Sequence, residues 1–349
     1  MRYSRVFIDA IGYELAPVVV TSEELEERVA PVYAKLHLQP GQLEALTGIQ
    51  ERRWWEPGTP LARGATTAAE RALARTAVRP EDLEVLIYAG VCRESYEPAT
   101  ACRVAHGVGV SPNATLFDLS NACLGVLNGI VEVANRIELG QIRAGLVCSC
   151  ESAREIVDEI IAQMLANPTM PFFTRSLATL TGGSGAVAVV LTDGSFTAPG
   201  SPRGHRLLGG VACTEPRFHD LCRWGVDLSG GGPHHYMYTD SIAVLNHGVA
   251  LGIRTWRALL EELDWDPNDV DRLICHQVGA AHIETILRAL AIPMEKDYRT
   301  FPFLGNMGTV SLPVTAAIAS ERGALEPGER AAFLGIGSGL NCLMLGVEW

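Results

Sequence analysis

Charge of either sign is scarce in this chain. Asp, Glu, Lys and Arg make up 19% of its 349 residues, and no extended run of like charge occurs. That composition excludes a disordered or solvating polypeptide. Basic residues are the scarcer kind, 28 Lys and Arg against 40 Asp and Glu, for a net charge of −12. Nucleic acid loses its electrostatic attraction at that balance, and an anionic substrate needs a local basic patch set against the global field. No apolar stretch reaches the roughly 20 residues of a membrane-spanning helix. Met1–Val20 is broken by Arg2, Arg5, Asp9 and Glu14 and has no small-residue cleavage site, so no signal peptide is expected. The nine cysteines are scattered, odd in number and free of any CxxC pair, which argues against a zinc ribbon or a disulfide framework. The expectation is a reduced, cytoplasmic protein whose cysteines are mostly small core residues.

Apolar residues amount to 48%, with 35 Gly and 19 Pro, enough for two domain-sized units or one duplicated fold. Short apolar runs alternate with amphipathic stretches, which indicates an α/β protein. Residues 83–90, 115–119, 144–149 and 186–191 read as buried strands, and residues 66–77, 124–139 and 152–166 as helices. Thr21 and Glu24 form a capping-box pattern that opens a helix through about Leu36. An internal repeat is more telling. DLEVLIYAG at 82 aligns with DVDRLICHQ at 269, TLFDLSNAC at 115 with TFPFLGNMG at 300, and RAGLVC at 143 with RAAFLG at 330, in one order and at nearly constant offset. Two similar halves, 1–195 and 196–349, are therefore expected, joined within the Gly-, Pro- and Ser-rich stretch 193–206. A site between them takes residues from equivalent strand ends.

Cys123 lies in NACLG, after an apolar strand and ahead of an apolar helix. Its sulfur is expected near a helix N-terminus, where the partial positive charge lowers a thiol pKa; a packed small residue is the alternative. His276 ends the repeat strand, and the repeat maps Asn306 onto Asn121, two residues before Cys123. An imidazole and a side-chain amide beside a thiolate can both donate to a developing oxyanion. The GIGSG stretch around Ser338 offers an unobstructed backbone N–H, or else an ordinary glycine turn.

Cys123 in NACLG, His276 in ICHQV and Asn306 in LGNMG resemble the Cys-His-Asn triad of the thiolase superfamily. The spacing from His276 to Asn306 is similar to that of its 3-oxoacyl-acyl-carrier-protein synthase III branch. The resemblance runs from about Val6 to Trp349 and implies the duplicated, five-layered αβαβα thiolase fold. Within that branch SYEPAT at 95–100 and the tail GIGSGLNC resemble the OleA enzymes, thiolases that open bacterial long-chain olefin synthesis. The OleA resemblance implies that Glu97 crosses a dimer interface and serves as base; a solvated loop carboxylate is the bland reading. Synthase III enzymes clamp coenzyme A with groups that this chain replaces by Leu46 and by Val278 through Ala281. Arg52 and Arg53 are the candidate contacts to carrier phosphates, with Trp54 and Trp55 as an adenine face.

The expected function is acyl transfer by Claisen condensation of two fatty acyl thioesters through an acyl-Cys123 intermediate. His276 and Asn306 polarise the second thioester, the N–H groups of Cys123 and Ser338 hold the oxyanion, and no metal or redox cofactor is implied. Three rivals stand beside it: a decarboxylative synthase III fed by malonyl carrier protein, simple acyl transfer, and a non-catalytic partner subunit. The expected partners are acyl-CoA or acyl carrier protein, a second copy of the chain, and downstream pathway enzymes. His276 with His282, and His234 with His235, lack a third ligand for a metal. Glu155, Asp158 and Glu159 read as a wet helix face, while Leu165, Met170, Phe172 and Phe173 flank a candidate acyl tunnel or pack in a core.

Overall fold

The computed structural model describes residues 1–196, 204–228 and 234–349. Nine strands form one mixed sheet in the order Arg272–Cys275, Arg330–Gly337, Asn341–Glu348, His205–Thr214, Phe7–Leu15, Gly185–Thr192, Ala144–Glu151, Val85–Ala89 and Thr115–Leu119. Pairing is parallel toward both ends and antiparallel through the middle. Phe7–Leu15 meets His205–Thr214 at only two register positions, Phe7 with Arg206 and Ile8 with His205. The first element of the chain thus carries the junction of the sheet.

The apolar runs are continuous because both faces of the central strands are covered, with successive residues facing different cores. Val85, Ile87, Ile274, Phe333, Leu343 and Leu345 face one core, which also takes in the helices Gly125–Glu138 and Ser311–Glu321. Their neighbours Leu86, Tyr88, Leu146 and Cys148 face a second core built on Leu61–Leu73 and Thr100–Val108. Leu273, Cys275, Ala332, Leu334 and Met344 face a third, under Ser241–Leu263 and Ala280–Ala289. The layers therefore run helix, strand, helix, strand, helix, the five-layered arrangement that the resemblance implies. Ser311–Glu321, at the centre, is apolar all round and buried through nine consecutive residues, as a helix enclosed on all sides must be.

Several expected elements are displaced. Thr21 does cap a helix, with Glu24 closing the box, but that helix is Ser22–Arg28 and a second, Ala30–Leu36, starts around Pro31. Proline has no N–H for the ladder and its ring meets the preceding turn. The helix expected at 66–77 is Leu61–Leu73. The repeat implies a strand at 300–308 to match Thr115–Leu119, yet Phe301–Leu304 is a short helix with Pro302 in its first turn. Part of the joining stretch, 197–203, lies outside the described residues. His234 and His235 begin the strand His234–Thr239, which pairs with Cys222–Asp227, and no cluster of metal ligands occurs among the described residues.

Candidate active site

Cys123 sits where the strand Thr115–Leu119 turns into Gly125–Glu138. Ala122, just before it, has φ of +45°, a conformation costly for a residue with a Cβ. The strain is over-determined by its surroundings: Leu124 N donates to Asn121 O at 2.9 Å, and Asn341 Nδ2 donates to Asn121 Oδ1 at 3.2 Å. One of the helix's free N–H groups, that of Val126, donates to Thr309 Oγ1 at 2.7 Å. The cap comes from a residue 183 positions away, so the turn that presents Cys123 is fastened to the segment that carries Asn306.

His276 follows the last residue of its strand and is 6% exposed. The adjoining Gln277, wholly buried, donates through Nε2 to Cys275 O at 2.7 Å and accepts through Oε1 from Thr300 N at 2.9 Å and Phe301 N at 3.1 Å. One amide thereby locks the His276 strand end to the start of the Asn306 loop. Asn306 Oδ1 accepts from Gly308 N at 3.0 Å, which leaves the Nδ2 end of the amide as a donor. Gly183 N donates to Asn306 O at 2.9 Å, and a Cβ at Gly183 would lie 2.1 Å from Leu304 O. Only glycine lets the two backbones approach this closely.

Cys123, His276, Asn306 and Ser338 all line a single cavity of about 900 Å³. A Cβ on Gly337 would stand 3.4 Å from Cys123 N, so the Gly337–Ser338 backbone abuts the cysteine amide. The walls are mostly apolar, from Ile156, Leu177, Leu245, Val249, Ile286 and Met344 among others; among the described residues Glu151 is the one acidic side chain in them and Arg223 the one Arg or Lys. Burial pushes the Cys123 thiol up to about 12, aided by the proximity of Cys222 and Glu151. This corrects the expected lowering, since desolvation outweighs the helix dipole. Burial also pushes His276 down to about 4, with His282 adding to the effect. At neutral pH the pair is a neutral thiol and a neutral imidazole, and the imidazole has a free lone pair for the thiol proton.

Other expected residues lie elsewhere. Glu97 is exposed and outside the cavity of its own chain. Arg52 cannot meet a phosphate: it is 0% exposed, and its guanidinium donates to Val20 O, Ser22 Oγ and Leu180 O. Burial lowers its pKa to about 10. Trp54 and Trp55 are buried too, their Nε1 groups donating to Gly182 O and Glu151 O. Arg53 is half-buried in the Glu51–Trp54 strand, away from the cavity. Leu165, Met170, Phe172 and Phe173 are not in the cavity wall either. Sequence reasoning passed over Gln277 as a holder of the two loops and over Glu151. Glu151 is buried, with a raised pKa, and accepts Val91 N at 2.9 Å and Cys92 N at 3.1 Å. Its only sequence signal was a carboxylate closing an apolar strand.

Comparison with known proteins gives a consistent picture. The family model for the 3-oxoacyl-[acyl-carrier-protein] synthase III C-terminal domain matches residues 260–349, and that for the thiolase N-terminal domain matches residues 61–166. An acyl-CoA:acyl-CoA alkyltransferase of Shewanella oneidensis is 56% identical over 350 residues, covering all of both chains. The crystal structure of a Cys-to-Ala variant of Xanthomonas campestris OleA has a TM-score of 0.92 at 33% identity and covers 100% of this chain and 98% of that one. A Cys-to-Ser variant of the same OleA, with bound lauric acid and lauroyl-CoA, has a TM-score of 0.91 at 33% identity, covering 99% and 100%.

Proposed function

The chain belongs to the acyl-CoA:acyl-CoA alkyltransferases of the thiolase fold, and on that footing we propose that it joins two fatty acyl-CoA molecules by a non-decarboxylative Claisen condensation. The observation that carries this reading is the convergence of Cys123, His276, Asn306 and the Ser338 backbone on one apolar cavity. Cys123 Sγ attacks the first thioester as its proton passes to His276. The N–H groups of Cys123 and Ser338 hold the tetrahedral oxyanion, and coenzyme A leaves as the thiol. A second acyl-CoA then places its carbonyl oxygen against the imidazole and the Asn306 amide. Glu97 of the partner subunit takes the α-proton, and the resulting enolate carbon attacks the acyl-Cys123 carbonyl. The carbon–sulfur bond to Cys123 breaks, the proton taken by Glu97 returns to the Cys123 sulfur, and a 2-alkyl-3-oxoacyl-CoA is released.

The remaining features of this proposal are a homodimer, since Glu97 is exposed on its own chain, a cytoplasmic setting, and a first step toward long-chain olefins or ketones made with downstream enzymes. The chain divides into a nucleophile-bearing half, 1–195, and a His- and Asn-bearing half, 196–349. No metal or redox cofactor enters the chemistry. Incubation with one long-chain acyl-CoA and no malonyl donor tests the reading by mass spectrometry. A two-chain 3-oxo acid, or the ketone left after loss of carbon dioxide, is expected. Acyl-Cys123 without condensed product would move the assignment to the malonyl-dependent reaction. Glu97→Ala is expected to keep Cys123 acylation and lose condensation.

A further inference from the structure

Glu151 is an unexpected group in the wall of a nucleophile's cavity. Its charge adds to burial and to Cys222 in raising the Cys123 pKa, and so works against the thiolate. A carboxylate only 5% exposed is also costly to bury unless its oxygens are well partnered. Its use therefore lies in what it holds. Glu151 Oε1 accepts Val91 N at 2.9 Å and Oε2 accepts Cys92 N at 3.1 Å. Both belong to the connection 90–99, between the strand Val85–Ala89 and the helix Thr100–Val108, that carries Glu97. Gly90 lets the connection start close over the carboxylate: a Cβ there would stand 3.2 Å from Glu151 Oε1 and 3.0 Å from Ser149 Oγ.

The far end of the connection is held in the same way. Asp118, on the strand that leads to Cys123, accepts Ala101 N through Oδ1 and Thr100 N through Oδ2, each at 2.9 Å. Two carboxylates thus each grip a pair of successive N–H groups, with charge-assisted bonds at both ends of a short span. Between them residues 95–98 are exposed, Tyr96 completely. The Glu151 side chain also packs on the Asn306 loop of its own chain, since a Cβ on Gly308 would stand 3.5 Å from Glu151 Cγ. These contacts offer two roles, one in each of two sites. We propose that Glu151 is a positioning residue for the condensation: its carboxylate fixes the root of the Glu97 connection and so sets where Glu97 reaches in the cavity of a second copy. The proposal rests on the reading above that Glu97 is the base of that second site. Glutamine at 151 is nearly the same size, but its amide has one acceptor and turns donors toward the other N–H. Acylation of Cys123 does not use Glu97 and has no need of the grip.

The experiment follows the two half-reactions separately, acyl-Cys123 by intact mass and condensed product by mass spectrometry, in the parent protein, Glu151→Gln and Gly90→Ala. Condensation is expected to fall about 10- to 100-fold, with acylation within about threefold of the parent. Gly90→Ala crowds the same grip from the other side and serves if Glu151→Gln does not fold. Mixed dimers, purified through two different affinity tags, then locate the defect. Paired with Cys123→Ala, a Glu151→Gln chain keeps its cysteine and takes Glu97 from a chain whose grip is intact, so about half the parent activity is expected. Paired with Glu97→Ala, the one remaining Glu97 is the loosened one, and activity should stay at the level of Glu151→Gln alone. Recovery with Glu97→Ala instead would place the action of Glu151 in its own cavity. That result, recovery with neither partner, or equal loss of acylation and condensation overturns the proposal. Glu97→Ala by itself keeps the two readings apart. Unchanged condensation there condemns the base, whereas its loss beside an unaffected Glu151→Gln condemns only the grip.

Discussion

His276 gives up its proton in the folded state because an imidazolium there would be stripped of water. Its pKa falls from 6.5 to about 4, so the unfolded chain binds a proton more readily than the native one. Stability is then complete above pH 6.5 and is lost as the pH falls from there toward 4, by about 2 kcal/mol at pH 5. Cys123 works in the opposite range. Its pKa rises from 9.0 to about 12, and the stability tied to its neutral form is lost as the pH climbs from 9 toward 12. Thermal unfolding at pH 7 and pH 5 checks the acid limb: the parent protein should lose more stability on acidification than His276→Asn does. Equal losses would mean that His276 is hydrated in the fold. The same neutrality bears on chemistry, since a thiolate formed only on attack does not sit exposed to oxidants between turnovers.

At the scale of the elements, Gln277 is the joint that keeps His276 and Asn306 in register. Gln277→Leu removes the acceptor shared by Thr300 N and Phe301 N, and unpaired buried N–H groups cost roughly 1–3 kcal/mol each. The condensation rate should fall about 10- to 100-fold, with Gln277→Glu recovering part of it because a carboxylate still accepts both N–H groups. A stable Gln277→Leu variant with unchanged kcat would refute this positioning role. The glutamine was in plain view beside His276, but no sequence pattern tells which backbone a buried amide will meet. What was legible were short continuous apolar runs and the repeat, because burial on both faces writes such runs directly into the order of residues. The strand Thr115–Leu119 and the Gly125–Glu138 helix follow from that order. Its counterpart at Phe301–Leu304 does not, since Pro302 and the Gln277 acceptor turn an aligned segment into helix. Arg52 misled for a related reason: three oxygens brought together by tertiary contacts, from Val20, Ser22 and Leu180, bury a side chain that composition places at the surface.

At the scale of the whole molecule, the proposed function has Glu97, exposed on its own chain, act in the Cys123 cavity of a second copy. Glu97→Ala and Cys123→Ala are each expected to be inactive in condensation. After the two are unfolded together and refolded as a mixture, each mixed dimer contains one site with both groups intact. Random pairing should restore about a quarter of the parent activity; no recovery, with dimers re-formed, would place the base on the same chain as the cysteine. The junction of the sheet carries a further consequence, for synthesis. Phe7 pairs with Thr192 and Arg206, and translation at roughly 5–20 residues per second separates its synthesis from theirs by on the order of ten seconds or more. The nucleophile's half can close once Thr192 emerges, but its central helix then waits. The Leu124 and Leu127 side chains that will press on Gly335 lack that cover until Gly335 has been made. A nascent chain of this protein therefore displays part of an apolar helix face while the second half is still being made, and a chaperone that shields such a face is most useful to it before that half arrives.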